Sequence, residues 1–82
     1  MEGLVSIVTP TFNSEKFISE TIQSVQNQTY TNWEMIIVDD CSTDNTANLV
    51  TEKAQLDRRI TFIRLNENSG PAKARNTGIE KV

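Results

Sequence analysis

Two adjacent carboxylates, Asp39 and Asp40, are the residues whose type and position most clearly suggest chemistry. They directly follow the apolar run Ile36-Ile37-Val38, which is typical of a strand buried on both faces of a parallel sheet. Acids at the carboxyl end of such a strand lie where open α/β sheets bind their ligands. The pair alone leaves three interpretations open: solvated acids near a helix N-terminus, metal ligands, or hydrogen-bond acceptors for a nucleobase or ribose.

A second candidate group surrounds Pro71, where the sequence predicts the start of a helix. Gly70 lets the backbone approach a ligand closely. Lys73 and Arg75 follow in the first turns, where cations oppose the helix dipole unless an anion docks there. Lys73 and Arg75 are therefore either solvated cations on an exposed face or part of an anion site.

Phe12 and Cys41 are two further side chains whose types could contribute to a site. Phe12 follows Pro10 in a predicted loop, where its ring could cover a flat heterocycle or belong to the edge of the core. Cys41 has no second cysteine, and the chain contains no histidine, so neither a cysteine nucleophile nor a thiolate metal site is supported.

The elements that position these residues follow a βαβαβα order. Strands are predicted over residues 4–9, 33–38 and 60–65. Helices are predicted over 15–26, from a cap among residues 42–44 to about residue 55, and from 71 with an interruption near Gly78. Pro10 is expected to end the first strand because it has no N–H, and Asn13 or Ser14 is expected to cap the first helix. This order predicts an α/β fold, a three-layer αβα Rossmann-like arrangement around a parallel sheet. The loops over 10–13, 39–44 and 66–70 should meet at one edge.

Composition limits the class of protein. The 82 residues are 37% hydrophobic and 23% charged, with a net charge of −3, which suits one small domain over 1–82 without an internal boundary. The mild acidic balance gives no reason to expect nucleic acid as a partner. The single cysteine fits a reducing compartment, and the N-terminus lacks a signal-peptide pattern, so a cytoplasmic location is expected.

Four segments together resemble the N-terminal, nucleotide-binding part of family 2 glycosyltransferases. They are residues 5–13, 24–30, 33–46 and 66–79, in the family's order and across nearly the whole chain. The resemblance implies a GT-A fold, whose first half is a nucleotide-binding α/β unit. It also implies transfer of a sugar from a nucleotide-diphosphate donor, UDP-sugar in particular, to an acceptor hydroxyl with inversion, as in cell-surface polysaccharide biosynthesis.

The resemblance also implies roles for individual residues. Asp40 would accept the N3–H of a uracil, and Asp39 would assist with the base or ribose. Lys73 and Arg75 would neutralise the negative charge of the diphosphate. The full nucleotide-binding set that it implies is Pro10, Thr11, Phe12, Asp39, Asp40, Ser42, Asn68, Gly70, Lys73 and Arg75.

Two positions depart from the family pattern. Phe12 stands where the family often has tyrosine, and Cys41 stands where glycine is usual, so the turn at Cys41 either has a negative φ or is strained. The family's Asp-x-Asp metal motif and its catalytic base are expected beyond Val82. A divalent metal, Mg²⁺ or Mn²⁺, is therefore expected in the full-length enzyme, with no metal requirement and no catalytic residue in these 82 residues.

The expected partners follow from the same resemblance. They are a nucleotide-sugar donor and a glycan or lipid-linked acceptor for a longer enzyme at the cytoplasmic face of a membrane. The 82 residues alone should be inactive and should self-associate through uncovered apolar surface.

Three alternatives were weighed. A phosphate-receiver module has an acid pair after its first strand, where this chain has Thr9-Pro10. A dinucleotide oxidoreductase needs a G-x-G-x-x-G that is missing here. The third alternative is a chain with no measurable nucleotide binding.

Overall fold

The computed structural model describes residues 3–65 and 70–80, which form three strands and three helices in alternation. The elements are β1 (Val5–Thr11), α1 (Ile18–Asn27), β2 (Trp33–Asp39), α2 (Thr46–Leu56), β3 (Ile60–Arg64) and α3 (Pro71–Glu80). All strands are parallel, in the order β1-β2-β3. The predicted α/β fold with a parallel sheet is confirmed. None of the described helices combines the length and the apolar composition needed to cross a bilayer.

β2 lies at the centre of the sheet and contributes to the core on both sides. Trp33, Met35 and Ile37 pack with buried residues of α1 and α2, whereas Ile36 and Val38 pack with the buried Ala74 of α3. We call these two sides the α1/α2 face and the α3 face. Burial of the whole apolar run explains why β2 lacks polar alternation, and the helices on both sides give the three predicted layers.

The strand register extends this division to the neighbouring strands. Residues paired across parallel strands direct their side chains to the same face. Ile7 pairs with Met35 and joins the α1/α2 cluster, as does Phe62, which pairs with Ile37. Ile63 pairs with Val38 and joins the α3 cluster. Odd and even positions of β1 and β2 therefore belong to opposite faces.

The prediction that Pro10 ends the first strand is wrong, because β1 continues to Thr11. The backbone N–H of Val5 donates to the carbonyl of Asn32 at 3.0 Å, and the Thr11 carbonyl accepts from the N–H of Asp40 at 2.9 Å. Odd-numbered residues of β1 thus direct their backbone groups to β2. The nitrogen of Pro10 points away from β2, so its missing N–H removes no bond from that ladder.

The first helix begins at Ile18 rather than at Glu15, and the described residues include no side-chain cap at its start. The predicted cap by Asn13 or Ser14 is therefore wrong. The carbonyl of Ser14 instead accepts backbone hydrogen bonds from Phe17 at 2.9 Å and Ile18 at 2.8 Å. The Asn13 side chain is unavailable as a cap because it bonds to the loop after β2.

The predicted interruption of the last helix near Gly78 is also wrong, since α3 runs through Gly78 to Glu80. A Cβ at this glycine would lie 2.4 Å from Cγ1 of Val8 and 3.2 Å from Cγ2 of Val38. Gly78 is therefore required by close packing of α3 on the sheet. This contact outweighs the low helix propensity of glycine.

Candidate functional site

The carboxyl ends of the three strands meet at one edge of the sheet. Thr11, Asp39 and Arg64 are paired there across β1, β2 and β3. The first two predicted loops therefore lie side by side, as expected for parallel strands. The third loop, with Asn68, lies outside the described residues except for Gly70.

Asp40 extends the ladder by one residue and turns its side chain to the α3 face. Its N–H donates to the Thr11 carbonyl at 2.9 Å, and its Oδ2 accepts the N–H of Gly70 at 2.9 Å. Asp40 is only 4% exposed, and Gly70 has a φ of 88°, which favours glycine. The structure thus joins Asp40 to the start of α3, and both belong to the predicted nucleotide-binding set.

Asp39 lies on the opposite side, the α1/α2 face, and is completely buried. Its Oδ1 accepts the hydroxyl of Ser42, and its Oδ2 accepts the Ser42 N–H at 3.1 Å. Arg64 Nε lies 3.7 Å from Oδ2, and Arg64 Nη2 donates to the Ser42 carbonyl at 3.1 Å. The two adjacent acids therefore cannot be treated as one dyad. Asp39 closes a turn, whereas Asp40 faces α3.

The end of β1 divides in the same way. Pro10 pairs with Val38 and so belongs to the α3 face with Asp40, whereas Thr11 pairs with Asp39. The hydroxyl of Thr11 is buried and has no hydrogen-bond partner among the described residues. Phe12 follows with 47% of its surface exposed, so it is available to a ligand rather than part of the core.

A cross-loop network, which sequence reasoning missed, connects the loop after β1 to the loop after β2. The N–H of Asn13 donates to Ser42 Oγ at 2.8 Å, and Asn13 Oδ1 accepts the N–H of Thr43 at 2.8 Å. The N–H of Ser14 donates to the Thr46 hydroxyl at 2.8 Å. The sequence signal was the run of Asn, Ser, Thr and Asp in both loops, whose short side chains bond to backbone.

Asp44 belongs to the same network. Its carboxylate accepts the hydroxyl of Thr46 at 2.6 Å, the N–H of Thr46 at 3.0 Å and the N–H of Glu15 at 3.2 Å. Desolvation works to raise the pKa of Asp44, but the hydrogen bonds from Thr46 and Glu15 outweigh it and lower the pKa. Asp44 thus bonds to Thr46, the first residue of α2, but the N-cap of this helix is Asn45, without a side-chain cap hydrogen bond among the described residues, and not one of residues 42–44.

The turn at Cys41 has a positive φ of 64°. Of the two possibilities that the departure from glycine raised, the strained conformation is the observed one. Asn13, across the network, also has a positive φ of 48°, which asparagine tolerates better than most residues. Both loops therefore contain one left-handed residue beside the candidate site.

Lys73 and Arg75 are both exposed in the first turns of α3. The α3 backbone begins after Gly70, whose carbonyl accepts the N–H of Ala74 at 3.2 Å. The two cations are therefore available near a helix start that also contacts Asp40. Of the predicted set, Pro10, Asp40 and Gly70 share the α3 face, whereas Thr11, Asp39 and Ser42 lie on the other.

Over residues 3–65 and 70–80, no group of three or more His, Cys, Asp or Glu side chains is close enough to hold a metal ion. At this edge of the sheet, the carboxylates of Asp39, Asp40 and Asp44 instead contact hydroxyl, amide or guanidinium groups of the chain. The arrangement of these carboxylates therefore does not fit a divalent metal.

Comparison with known proteins identifies the family. Residues 6–82 match Glycosyl transferase family 2. The chain is 46% identical over 77 residues to an Escherichia coli protein, the UDP-Glc:alpha-D-GlcNAc-diphosphoundecaprenol beta-1,3-glucosyltransferase WfgD, covering 94% of this chain and 30% of that protein.

Solved structures agree with this match. TarS 1–349 of S. aureus in complex with UDP has a TM-score of 0.85 and 37% identity, covering 99% of this chain and 24% of that one. The mannosyltransferase PcManGT of Pyrobaculum calidifontis in complex with GDP-Man and Mn²⁺ has a TM-score of 0.87 and 29% identity, covering 95% and 24%. The chain thus spans less than a third of each of these proteins. The fold is that of the GT-A glycosyltransferases, and the chain belongs to glycosyltransferase family 2.

Proposed function

We propose that this chain forms the donor-nucleotide site of an inverting glycosyltransferase that uses a UDP-sugar. Family membership supports a transferase and leaves the phosphate-receiver and oxidoreductase interpretations without support. The specific donor, the acceptor and the inversion are inferences for the longer enzyme. The sugar itself is left open.

The observation that carries the proposal is the position of Asp40. Its buried carboxylate lies at the carboxyl end of the central strand and bonds to the N–H of Gly70, where α3 begins. An ionised carboxylate has roughly four acceptor positions, and the N–H of Gly70 occupies one of them. We propose that Asp40 accepts the N3–H of uracil, which in a desolvated site is a strong, charge-assisted hydrogen bond.

Two relatives support UDP as the nucleotide. The name of WfgD gives UDP-Glc as its donor, and TarS was solved with UDP. The PcManGT complex holds GDP-Man, so guanine is the competing base that a binding experiment must include. We propose uracil because both UDP-using relatives are more similar to this chain, at 46% and 37% identity against 29%.

Phe12, Lys73 and Arg75 would supply the rest of the donor site. Phe12 follows the end of β1, is exposed, and would cover one face of the base. Lys73 and Arg75 would neutralise the diphosphate near the α3 start, where backbone N–H groups and the helix dipole already favour an anion. Asn68 is proposed from the resemblance alone.

Metal and catalytic base are proposed to lie outside this chain. The structure of PcManGT holds Mn²⁺, which supports a divalent metal in the longer enzyme. Such a cation stabilises the leaving diphosphate, and inverting transfer also needs a base for the acceptor proton. We therefore propose that these 82 residues alone bind nucleotide but do not transfer sugar.

The acceptor and the location are further proposals. WfgD is named for a diphosphoundecaprenol-linked acceptor, which supports a lipid-linked or glycan acceptor in surface polysaccharide synthesis. We propose a cytoplasmic location, where a nucleotide donor and a single reduced cysteine are compatible. Self-association also stays a proposal, supported by exposed apolar side chains such as Phe17 and Leu56.

Calorimetric titration with UDP tests the proposal. Wild type should bind UDP equally with and without Mn²⁺, because no metal ligand is assigned to these residues. Asp40→Asn should weaken UDP by roughly tenfold or more, since a charged acceptor is replaced by a neutral one. Asp57→Asn, at the opposite end of the sheet, is the matched control and should bind like wild type. Equal UDP affinity in the Asp40→Asn protein would refute base recognition by Asp40, and tighter binding of GDP than UDP would refute the choice of base.

A further inference from the structure

We propose that Asn13 is a positioning residue for base recognition, although it does not itself contact the nucleotide. The proposal rests on the proposed uracil site, and it assigns Asn13 the task of holding Phe12 in place relative to Asp40. Asn13 is absent from the set of nucleotide-binding residues predicted from the sequence.

Hydrogen bonds between the two loops lie on both sides of Phe12 and Asp40, the two groups proposed to recognise the base. Before Phe12, the Thr11 carbonyl accepts the N–H of Asp40 at 2.9 Å. After Phe12, the N–H of Asn13 donates to Ser42 Oγ at 2.8 Å. Phe12 in one loop and Asp40 with Cys41 in the other are thus enclosed between two connections.

Ser42, whose hydroxyl accepts the Asn13 N–H, is itself held in place by hydrogen bonds. The Ser42 hydroxyl donates to Asp39 and accepts from Asn13, and a hydroxyl has one hydrogen to give. Ser42 is 3% exposed. The Ser42 hydroxyl therefore has no hydrogen left to donate to a nucleotide, and both of its bonds support the loop.

The side chain of Asn13 also bonds to the loop after β2. Its Oδ1 accepts the N–H of Thr43 at 2.8 Å and the N–H of Asp44 at 3.4 Å. These bonds are exposed to solvent, so water can replace them with little loss of folding free energy. Their specific effect is on geometry, because they fix the loop after Asp40 to the loop after Phe12. The positive φ of 48° at Asn13 gives the carboxamide this reach.

Base selectivity distinguishes positioning from simple stabilisation. Cytosine has no N3–H, so UDP depends on an aligned Asp40 carboxylate whereas CDP does not. Misalignment of the two loops should therefore weaken UDP more than CDP. A loss of overall stability should instead lower both affinities by the same factor.

The experiment compares UDP and CDP affinities of the 82-residue chain by calorimetry, with thermal melting in parallel. Asn13→Gly keeps the left-handed backbone but removes Oδ1, and it should weaken UDP by roughly threefold to tenfold and lower the UDP-to-CDP affinity ratio. Asn13→Asp keeps an acceptor and tolerates the same φ, so it should restore most of that ratio. Asn48→Ala, which removes a surface carboxamide bonded to Asn45, is the matched control and should change neither affinity.

Each outcome decides the proposal. A lowered ratio in Asn13→Gly with recovery in Asn13→Asp supports positioning by the side-chain oxygen. An unchanged ratio, or an equal loss of both affinities, overturns it while leaving the uracil site intact. A wild-type chain that binds neither nucleotide overturns the donor-site proposal and this one together.

Discussion

Two buried threonines near the candidate site have opposite hydrogen-bonding states. The hydroxyl of Thr11 has no partner among residues 3–65 and 70–80, whereas the hydroxyl of Thr46 donates to Asp44 and accepts from Ser14. A buried polar group without a partner loses its hydration with nothing in return, whereas a paired one largely recovers that loss. The same substitution at these two positions should therefore change the free energy of unfolding in opposite directions.

Thr11→Val should stabilise the fold by about 1 kcal/mol, because an unpaired hydroxyl becomes a methyl of similar size. Thr46→Val should destabilise it by about 1–2 kcal/mol, because Asp44 and Ser14 each lose a partner. Urea unfolding monitored through Trp33 measures both. If Thr11→Val instead destabilises the chain, the Thr11 hydroxyl has a hydrogen-bond partner outside the described residues. If it lowers UDP affinity, the hydroxyl bonds to the nucleotide.

At the same scale, the sequence located the acids but could not assign them. It identified Asp39 and Asp40 from the strand that precedes them, and both are buried at the expected edge. Their separation to opposite faces follows from strand alternation, but the helices that cover each face do not, nor do the bonds to Ser42 and Gly70, which lie 3 and 30 positions away. Such contacts are set by tertiary packing and are not visible in a local pattern.

At the scale of elements, the close packing of α3 against the sheet depends on Gly78. In an exposed helix, replacing glycine by alanine stabilises by about 1 kcal/mol. Here the new Cβ would lie 2.4 Å from Val8 Cγ1, so the steric conflict should exceed that gain.

Gly78→Ala should therefore destabilise the chain by about 1–3 kcal/mol in chemical unfolding. The double variant with Val8→Ala tests the cause, since it removes the methyl group that the new Cβ meets. Its destabilisation should be smaller than the sum of the two single changes. Simple additivity would mean that the contact between α3 and Val8 is not the source of the loss.

The elements themselves were largely predictable. The βαβαβα order follows from apolar periodicity, and the helix predicted to end near Gln55 ends at Leu56. The errors at Pro10 and Gly78 have one origin: each residue breaks a local rule that a tertiary arrangement relaxes. Among residues 3–65 and 70–80, no strand pairs with the side of β1 to which the Pro10 nitrogen points, so its missing N–H costs no ladder bond there. The tight α3 contact favours a residue without a side chain.

At the scale of the whole molecule, a polar cluster at the end opposite the candidate site stabilises the fold near neutral pH. Asp57 is bonded to Arg59 through two guanidinium contacts at 2.9 and 3.0 Å and to Gln26 at 3.1 Å. The guanidinium of Arg59 also lies 3.9 Å from the ring centroid of Trp33. The hydrogen bonds from Arg59 outweigh desolvation and hold the pKa of Asp57 well below its ordinary 3.8.

The sign of the resulting pH dependence follows from this lowered pKa. Below about pH 4 the unfolded chain binds a proton at Asp57 that the folded chain does not, so the stabilisation is present above 3.8 and is lost as pH falls. Asp57→Asn should be less stable than wild type at pH 7, and the difference should narrow as pH falls below 4. Thermal melting from pH 7 to 2 measures this, with Arg59→Gln as the partner variant. A difference that does not change with pH would show that Asp57 is not the titrating group.

The separation of the two faces also bears on how donor preference could change during evolution or design. Side chains that would meet a base arise at alternate positions of β1 and β2, and the intervening positions hold the loops together from the other side. If the proposed donor site is correct, substitutions at Pro10 and Asp40 should change the preferred nucleotide while Thr11 and Asp39 keep the scaffold intact. Residues proposed to recognise the base and residues that support the loops alternate along the same stretches of chain, so one group can be substituted while the other is kept.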